Sequence, residues 1–275
     1  MSPPDLAAPD LAAYERDGFL VLEGFLPAAD CDALQARAAE LVAAFDPGSG
    51  RTVFSTRDQG HARDRTFQES GGAIRFFFEE QATDQPVPLA LNKIGHALHD
   101  LDPVFDRISR RPRLAELAQA LGFAQPLLLQ SMYLFKQPLI GAEVGWHQDA
   151  TYLHTRPSTV TGFWVALDDA DRDNGCLMAL PGAHRGPLRE RFLREDGRLV
   201  THTLDTTPWP SVAPAAIEAR RGTLVVLHGL LPHASAPNRS SRARHAYALH
   251  LIDGRADYPA DNWLQRPDLP LRGFA

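Results

Sequence analysis

The chain has 275 residues, 44% of them apolar, enough for one domain with a packed core. Its formal net charge is −6 and its sequence pI about 6.0, which argues against a basic surface field for nucleic acid or anionic lipid. Two cysteines far apart in sequence, Cys31 and Cys176, exclude a disulfide framework and a thiolate metal site. The first residues carry acids and prolines where a secretory leader needs basic residues followed by an apolar run. No stretch reaches the roughly 18 uninterrupted apolar residues of a membrane span. A soluble, cytoplasmic protein is expected, without nucleic acid or membrane as a partner; its oligomeric state is not specified.

Residues 9–16 predict a short helix and Gly18 to Leu22 an apolar strand. A helix follows from Pro27 and Asp30, with Leu34, Ala38, Leu41 and Phe45 on one face. Between Asp46 and Gln68 the composition predicts a long loop able to cover a site. Arg75 to Phe78 reads as a strand, and Leu89 to Leu101 and Pro112 to Leu121 as helices. From residue 127 the texture changes to short β-type runs separated by turns: Leu127 to Phe135, Thr159 to Leu167, Cys176 to Leu180, Thr223 to Leu227 and Ala246 to Ile252. Asp173-Asn-Gly175 is a strong turn signal, and 183–210 reads as a polar insertion between strands. The expected fold is mainly β with flanking helices, a cupin-like double-stranded β-helix or jelly roll. It would form a single domain over 1–275, with N-terminal helices and outer strands in 1–126, the core in 127–255 and a tail in 256–275. No phosphate-binding glycine loop and no internal repeat is present.

Among eleven histidines, His147, His228 and His233 carry information. In Trp146-His-Gln-Asp149 the His and Asp are two apart, so extended backbone projects both side chains to one face and Gln148 to the other. One further His would complete a 2-His-1-carboxylate metal site with positions open for substrate and O₂. The strand Gly222 to Leu227 leads to two candidates, His228 and His233. Downstream, Arg242 and Arg244 are two apart at the expected opening of another strand. A guanidinium there can grip the far carboxylate of a dicarboxylate whose 2-oxo acid end chelates the metal.

The chain resembles the phytanoyl-CoA dioxygenase family of Fe(II)/2-oxoglutarate-dependent oxygenases over most of its length. The resemblance is carried by Tyr14-Glu-Arg-Asp-Gly-Phe-Leu-Val-Leu22, Asp173-Asn-Gly-Cys-Leu177, Pro181-Gly-Ala-His184 and His233-x-Ser-x-x-Asn238. It extends through Ile74-Arg-Phe-Phe-Phe-Glu79, Asn92-Lys-Ile-Gly-His-Ala-Leu-His99, Gln130-Ser-Met-Tyr133 and Phe135-Lys-Gln-Pro138. The resemblance selects His233 over His228, giving His147, Asp149 and His233 as catalytic metal ligands. It implies contacts of 2-oxoglutarate with Lys93, Met132 and Trp164, and a carboxylate clamp at Arg242, with Arg244 matching other members better. The implied activity is hydroxylation of a small organic substrate with O₂, releasing succinate and CO₂. Related halogenases lack the carboxylate that Asp149 supplies, which favours hydroxylation. Trp146 departs from the pattern and is a candidate wall of the substrate pocket. His154, His184, His245 and His250 are assigned to structure or surface. Without the resemblance, the same residues admit a zinc-dependent hydrolase or lyase on a cupin-like barrel, or a silent small-molecule binding barrel.

Overall fold

The computed structural model describes residues 8–274, apart from 47, 49, 56–61, 63 and 83. In chain order the elements are α1 (Ala8–Asp17), β1 (Phe19–Leu22), α2 (Ala28–Ala43), β2 (Thr52–Phe54), α3 (Arg65–Gln68), β3 (Ile74–Glu79), α4 (Val87–Ala90) and β4 (Leu91–His96). There follow α5 (Leu98–Leu101), α6 (Pro103–Ser109), α7 (Pro112–Ala120), β5 (Pro126–Leu134), β6 (Val144–His147), β7 (Thr161–Ala166) and β8 (Leu177–Ala179). The chain ends with β9 (Glu190–Glu195), β10 (Arg198–Thr203), β11 (Ala215–Ile217), β12 (Leu224–His228), β13 (His233–Ser235) and β14 (Ala246–Asp253). Among the described residues no helix is long and apolar enough to cross a membrane.

Two sheets face each other in a jelly roll. The larger has the order β1-β12-β7-β14-β5-β4-β3-β2, the smaller β11-β8-β13-β6. Strand alternation explains how the large sheet serves two layers at once. Phe163 and Val165 of β7, with Tyr247, Leu249 and Leu251 of β14, pack into a core with Leu34 of α2, Phe105 of α6 and Leu117 of α7. The intervening Trp164, Ala166, Ala246 and Ala248 turn the other way and meet Leu177, Ala179 and Ile217 of the small sheet. The small residues on this second face leave the space between the sheets in which the site lies.

The helices are specified locally. Asp102 caps α6, its carboxylate accepting from the backbone N–H of Val104 at 3.0 Å and Phe105 at 3.3 Å, with Pro103 at the first helical position. The expected helix over Leu89 to Leu101 is corrected: its centre is β4, with only short helical turns on either side. Lys93 to His96 is paired on both edges, Lys93 opposite Phe77 of β3 and Leu134 of β5. Ladders on two edges outweigh the helical spacing of its apolar residues, and Gly95 weakens a helix there. The expected loop 46–68 contains β2 and α3; its residues 47, 49, 56–61 and 63 lie outside the described residues. The insertion 183–210 carries the hairpin β9–β10.

The C-terminal segment is tied to the body through Asp100. Its carboxylate lies 2.5 Å from Arg110 Nη2, 2.9 Å from Arg272 Nη2 and 3.1 Å from His99 Nε2, and Arg266 also binds it. Burial by itself raises this carboxyl, but the bonds from His99 and Arg266 outweigh it and hold it well below the ordinary carboxylate range. Because the folded value is depressed, the stabilisation is present at neutral pH and is lost as pH falls below the ordinary carboxylate value. Asp100→Asn leaves clustered guanidinium groups without their counter-ion and should cost about 3–5 kcal/mol. A thermal melt at pH 7 should show a Tm lower by several degrees, and the difference from the parent should shrink at acid pH.

Candidate metal centre

β6 ends at His147, but Gln148 stays extended (φ −113, ψ 134) before Asp149 opens a 3₁₀ turn, so His147 and Asp149 project to the same side. Gln148 points the other way. Its amide donates to the carbonyls of Pro187 at 3.1 Å and Leu230 at 2.9 Å and accepts from Arg189 N–H at 2.9 Å, fixing the segment from behind. His233 begins β13 directly opposite His147 in the antiparallel register, with ring centroids 4.2 Å apart. One donor atom from each of His147, Asp149 and His233 lies within 4.8 Å of the others.

The protonation pattern fits a metal. His147 Nδ1 meets the Gly145 carbonyl at 2.8 Å and His233 Nδ1 the Leu231 carbonyl at 3.0 Å. A carbonyl only accepts, so Nδ1 carries the proton in both rings and each Nε2 presents a lone pair. Burial and the neighbouring His233 lower His147 to about 4, leaving it neutral near pH 7. Burial raises Asp149, yet the surrounding imidazoles, His233 and His250 foremost, hold it below the ordinary range as a carboxylate. Two imidazoles and one carboxylate with donor atoms within reach of one point form the donor set of a 2-His-1-carboxylate centre.

Next to the triad is a cavity of about 300 Å³. Arg244 enters it from the segment before β14 and is buried. Its Nη2 donates to Ser235 Oγ at 3.2 Å, its Nε and Nη1 have no hydrogen-bond partner, and the guanidinium lies 5.3 Å from the centre of the Trp164 ring. Burial lowers its pKa to about 10, so it remains a cation at neutral pH. Lys93, Met132 and Trp164 line the same cavity. Lys93 Nζ sits 3.3 Å over the Phe54 ring, and burial, opposed by Glu79, brings it down to about 7.

Arg242 is not brought there. It is exposed and paired with Asp171 at 2.5 Å, and it does not line the cavity. The expectation that Arg242 and Arg244 share a face fails because β14 starts only at Ala246. The preceding turn, held by Asn238 Nδ2 on the carbonyls of Lys136 and Arg242, has no strand alternation. His228 lies outside the cavity lining, its Nδ1 accepting from the Leu230 N–H at 3.1 Å and its ring 5.0 Å from that of His184.

Several lining residues had been given no part in the site, among them His250, assigned above to structure or surface. His250 Nε2 lies 3.3 Å from Asp149 Oδ2, and Gly162 faces the same carboxylate, 3.0 Å from where its Cβ would stand. The signal for His250 was strand alternation within β14: it follows Ala248, which lines the same cavity, by two. Ser235 follows His233 by two and thereby reaches Arg244. Phe54, Phe67, Tyr152 and Trp263 come from four separate segments, and nothing in the local pattern joins them.

The phytanoyl-CoA dioxygenase (PhyH) family model matches residues 14–246. A phytanoyl-CoA dioxygenase of Arabidopsis thaliana is 41% identical over 275 residues, covering 96% of this chain and 95% of that protein. Phytanoyl-CoA dioxygenase domain-containing protein 1 of Mus musculus is 42% identical over 283 residues, covering 97% of each. Among solved structures, EctD from S. alaskensis with 2-oxoglutarate and 5-hydroxyectoine has a TM-score of 0.65 at 22% identity, covering 98% of this chain and 84% of that one. The epimerase SnoN in complex with Fe3+, alpha ketoglutarate and nogalamycin RO has a TM-score of 0.68 at 20% identity, covering 96% of this chain and 93% of that one. At these identities the two structures support the fold. The chain belongs to the phytanoyl-CoA dioxygenase (PhyH) family and is a non-haem iron, 2-oxoglutarate-dependent dioxygenase.

Proposed function

We propose that His147, Asp149 and His233 hold the iron, that Arg244 rather than Arg242 clamps the distal carboxylate of 2-oxoglutarate, and that the enzyme hydroxylates a small organic molecule with a largely apolar body. Arg244 carries this reading. A buried guanidinium with two unpartnered nitrogens is costly. A carboxylate in the shared cavity satisfies both, and the Trp164 ring and Ser235 hydroxyl keep the guanidinium in place to receive it. Lys93 adds positive charge on the same side, and Met132 supplies an adaptable apolar contact.

Bound at the triad, Fe(II) supplies the chemistry by which O₂ converts 2-oxoglutarate to succinate and CO₂ and delivers one oxygen atom to a substrate C–H bond. The chain's own residues hold the reactants and keep water away. Asp149 balances part of the metal charge, and the Nδ1–H bonds of His147 and His233 fix the ring planes. Phe54, Phe67, Tyr152, Leu153 and Trp263 form an apolar wall on which substrate packs. Trp146, 37% exposed and lining the cavity, shapes its mouth. The regions 46–70 and 183–215 contribute Phe54, Phe67 and Glu190 to the lining, consistent with a role in specificity. Among the described lining residues, no lysine or arginine besides Lys93 and Arg244 is present for coenzyme A phosphates. A reducing cytoplasm is the compartment we propose, supported by the buried free thiols Cys31 and Cys176.

Anaerobic addition of 2-oxoglutarate to the Fe(II)-loaded protein should produce a weak visible charge-transfer band. Succinate release should vanish in Asp149→Ala and on chelation, and Fe(II) but not Zn(II) should restore the chelated parent. Succinate release that persists in Asp149→Ala would sink the triad. In calorimetry with the Mn(II)-loaded protein, Arg244→Ala should weaken 2-oxoglutarate binding by at least about 100-fold, since a buried charge loses its partner. Arg242→Ala should leave that affinity near the parent's, and the reverse ranking would overturn the assignment. Lys93 neutralises as pH rises through about 7. Affinity for the dianion should therefore fall from pH 6 to 8, a slope that Lys93→Met should flatten.

A further inference from the structure

The two oxygens of Asp149 face different neighbours. Oδ1 lies 3.7 Å from His147 Nε2 and 3.6 Å from His233 Nε2, whereas Oδ2 lies 3.3 Å from His250 Nε2. We propose that His250 is a positioning residue of the metal centre: its Nε2–H donates to Asp149 Oδ2, so that the carboxylate offers Oδ1 alone to the ion. The proposal deepens the metal-centre reading above and rests on it.

The surroundings of His250 leave little freedom. It lies on β14 between β5 and β7, directly opposite Gln130 on one side and Gly162 on the other. A strand paired along both edges holds its backbone, and the side chain is only 8% exposed. Gly162 completes the arrangement. A Cβ there would stand 3.0 Å from Asp149 Oδ2 and 3.6 Å from His250 Nε2, so glycine lets the β7 backbone pass close beside the carboxylate and imidazole. The Nδ1 of His250 and the Oδ2 of Asp149 are both buried without a hydrogen-bond partner, the 3.3 Å approach of Nε2 to Oδ2 being a close contact and not a formed hydrogen bond, so Oδ2 is left needing a donor. A neutral ring with its proton on Nδ1 would bury that N–H unsatisfied and turn a second lone pair toward a carboxylate oxygen. With the proton on Nε2, the ring instead donates to a charged acceptor. This is the opposite tautomer from His147 and His233, whose Nδ1–H groups bind backbone carbonyls.

The chemical consequence is a count of coordination positions. A carboxylate free to rotate about its Cβ–Cγ bond can offer both oxygens to one ion. Binding through both would take a position that 2-oxoglutarate and O₂ need. Engaging Oδ2 with His250 removes that alternative before any metal arrives. Outer contacts of this kind are typically worth about 10–100-fold in metal affinity or activity.

The test is Mn(II) binding by calorimetry without 2-oxoglutarate, so that no turnover enters the readout, with folding checked by circular dichroism. His250→Leu should bind Mn(II) about 10–100-fold more weakly than the parent. His250→Gln, whose amide nitrogen reaches a similar place, should stay near the parent. A folded Leu variant with parental affinity overturns the proposal, as does a Gln variant that loses as much as Leu. A second measurement needs no variant: imidazole tautomers of ¹⁵N-histidine-labelled parent, read by two-bond ¹H–¹⁵N correlation in the metal-free and Zn(II)-loaded forms. His250 protonated on Nε2 supports the contact, and His250 protonated on Nδ1 overturns it. If the parent takes up no Mn(II), the metal-centre reading fails on its own, while the tautomer in the metal-free protein still decides whether His250 donates to Asp149.

Discussion

The antiparallel register between β6 and β13 sets His147 opposite His233, and the rest of the site is arranged around that pairing. Side chains alternate along a strand, so a slip of one residue would turn one imidazole away from the other. The strands are short, and their register is held from outside them. Gln148 bonds to the backbone at Pro187, Leu230 and Arg189, and β13 is paired on its other edge with β8, His233 opposite Ala179. Extended backbone through Gln148 then delivers Asp149 to the same point. The irregularity between His233 and Ser235 does not separate their roles: one side chain faces the triad and the other bonds Arg244.

A second constraint is electrostatic. The site concentrates charge that the protein alone does not balance. Arg244 is buried with unpartnered nitrogens, and Lys93 rests on an aromatic ring and is pushed down toward neutrality by burial. Such an arrangement costs stability in the protein by itself. Asp100 shows the opposite design, a buried carboxylate whose oxygens are both engaged, tying the C-terminal segment to α5 and α6. The contrast between satisfied and unsatisfied buried charge separates the part of the molecule that holds the fold from the part that awaits a ligand.

Much of this was legible from local pattern. The strands predicted from residue 127 onward, the helix over Pro112 to Leu121, and the turn at Asp173-Asn-Gly175 depend on neighbours in sequence, and the structure places them close to where pattern reading did. The His147 and Asp149 pair was readable because extended backbone has a period of two. The region Leu89 to Leu101 was misread as helix because its central strand status comes from partners at Phe77 and Leu134 that no local window contains. Lys93 falls within that misread helix, so its place on a buried strand was not legible from local pattern.

Sequence by itself determined the chemistry on offer: a carboxylate two residues from an imidazole, a second imidazole after a strand, and two arginines downstream. It did not determine which arginine or which further histidine mattered. Only the tertiary structure decided that Arg244 turns inward while Arg242 pairs with Asp171, because that choice is made by the Asn238-capped turn before β14. Only the tertiary structure brought His250 and Gly162 to the back of Asp149, since β7 and β14 lie in one sheet and Asp149 reaches them across the cavity from the other. Local periodicity fixes which way a side chain points from its own strand; what stands opposite depends on packing between sheets, which no local window contains.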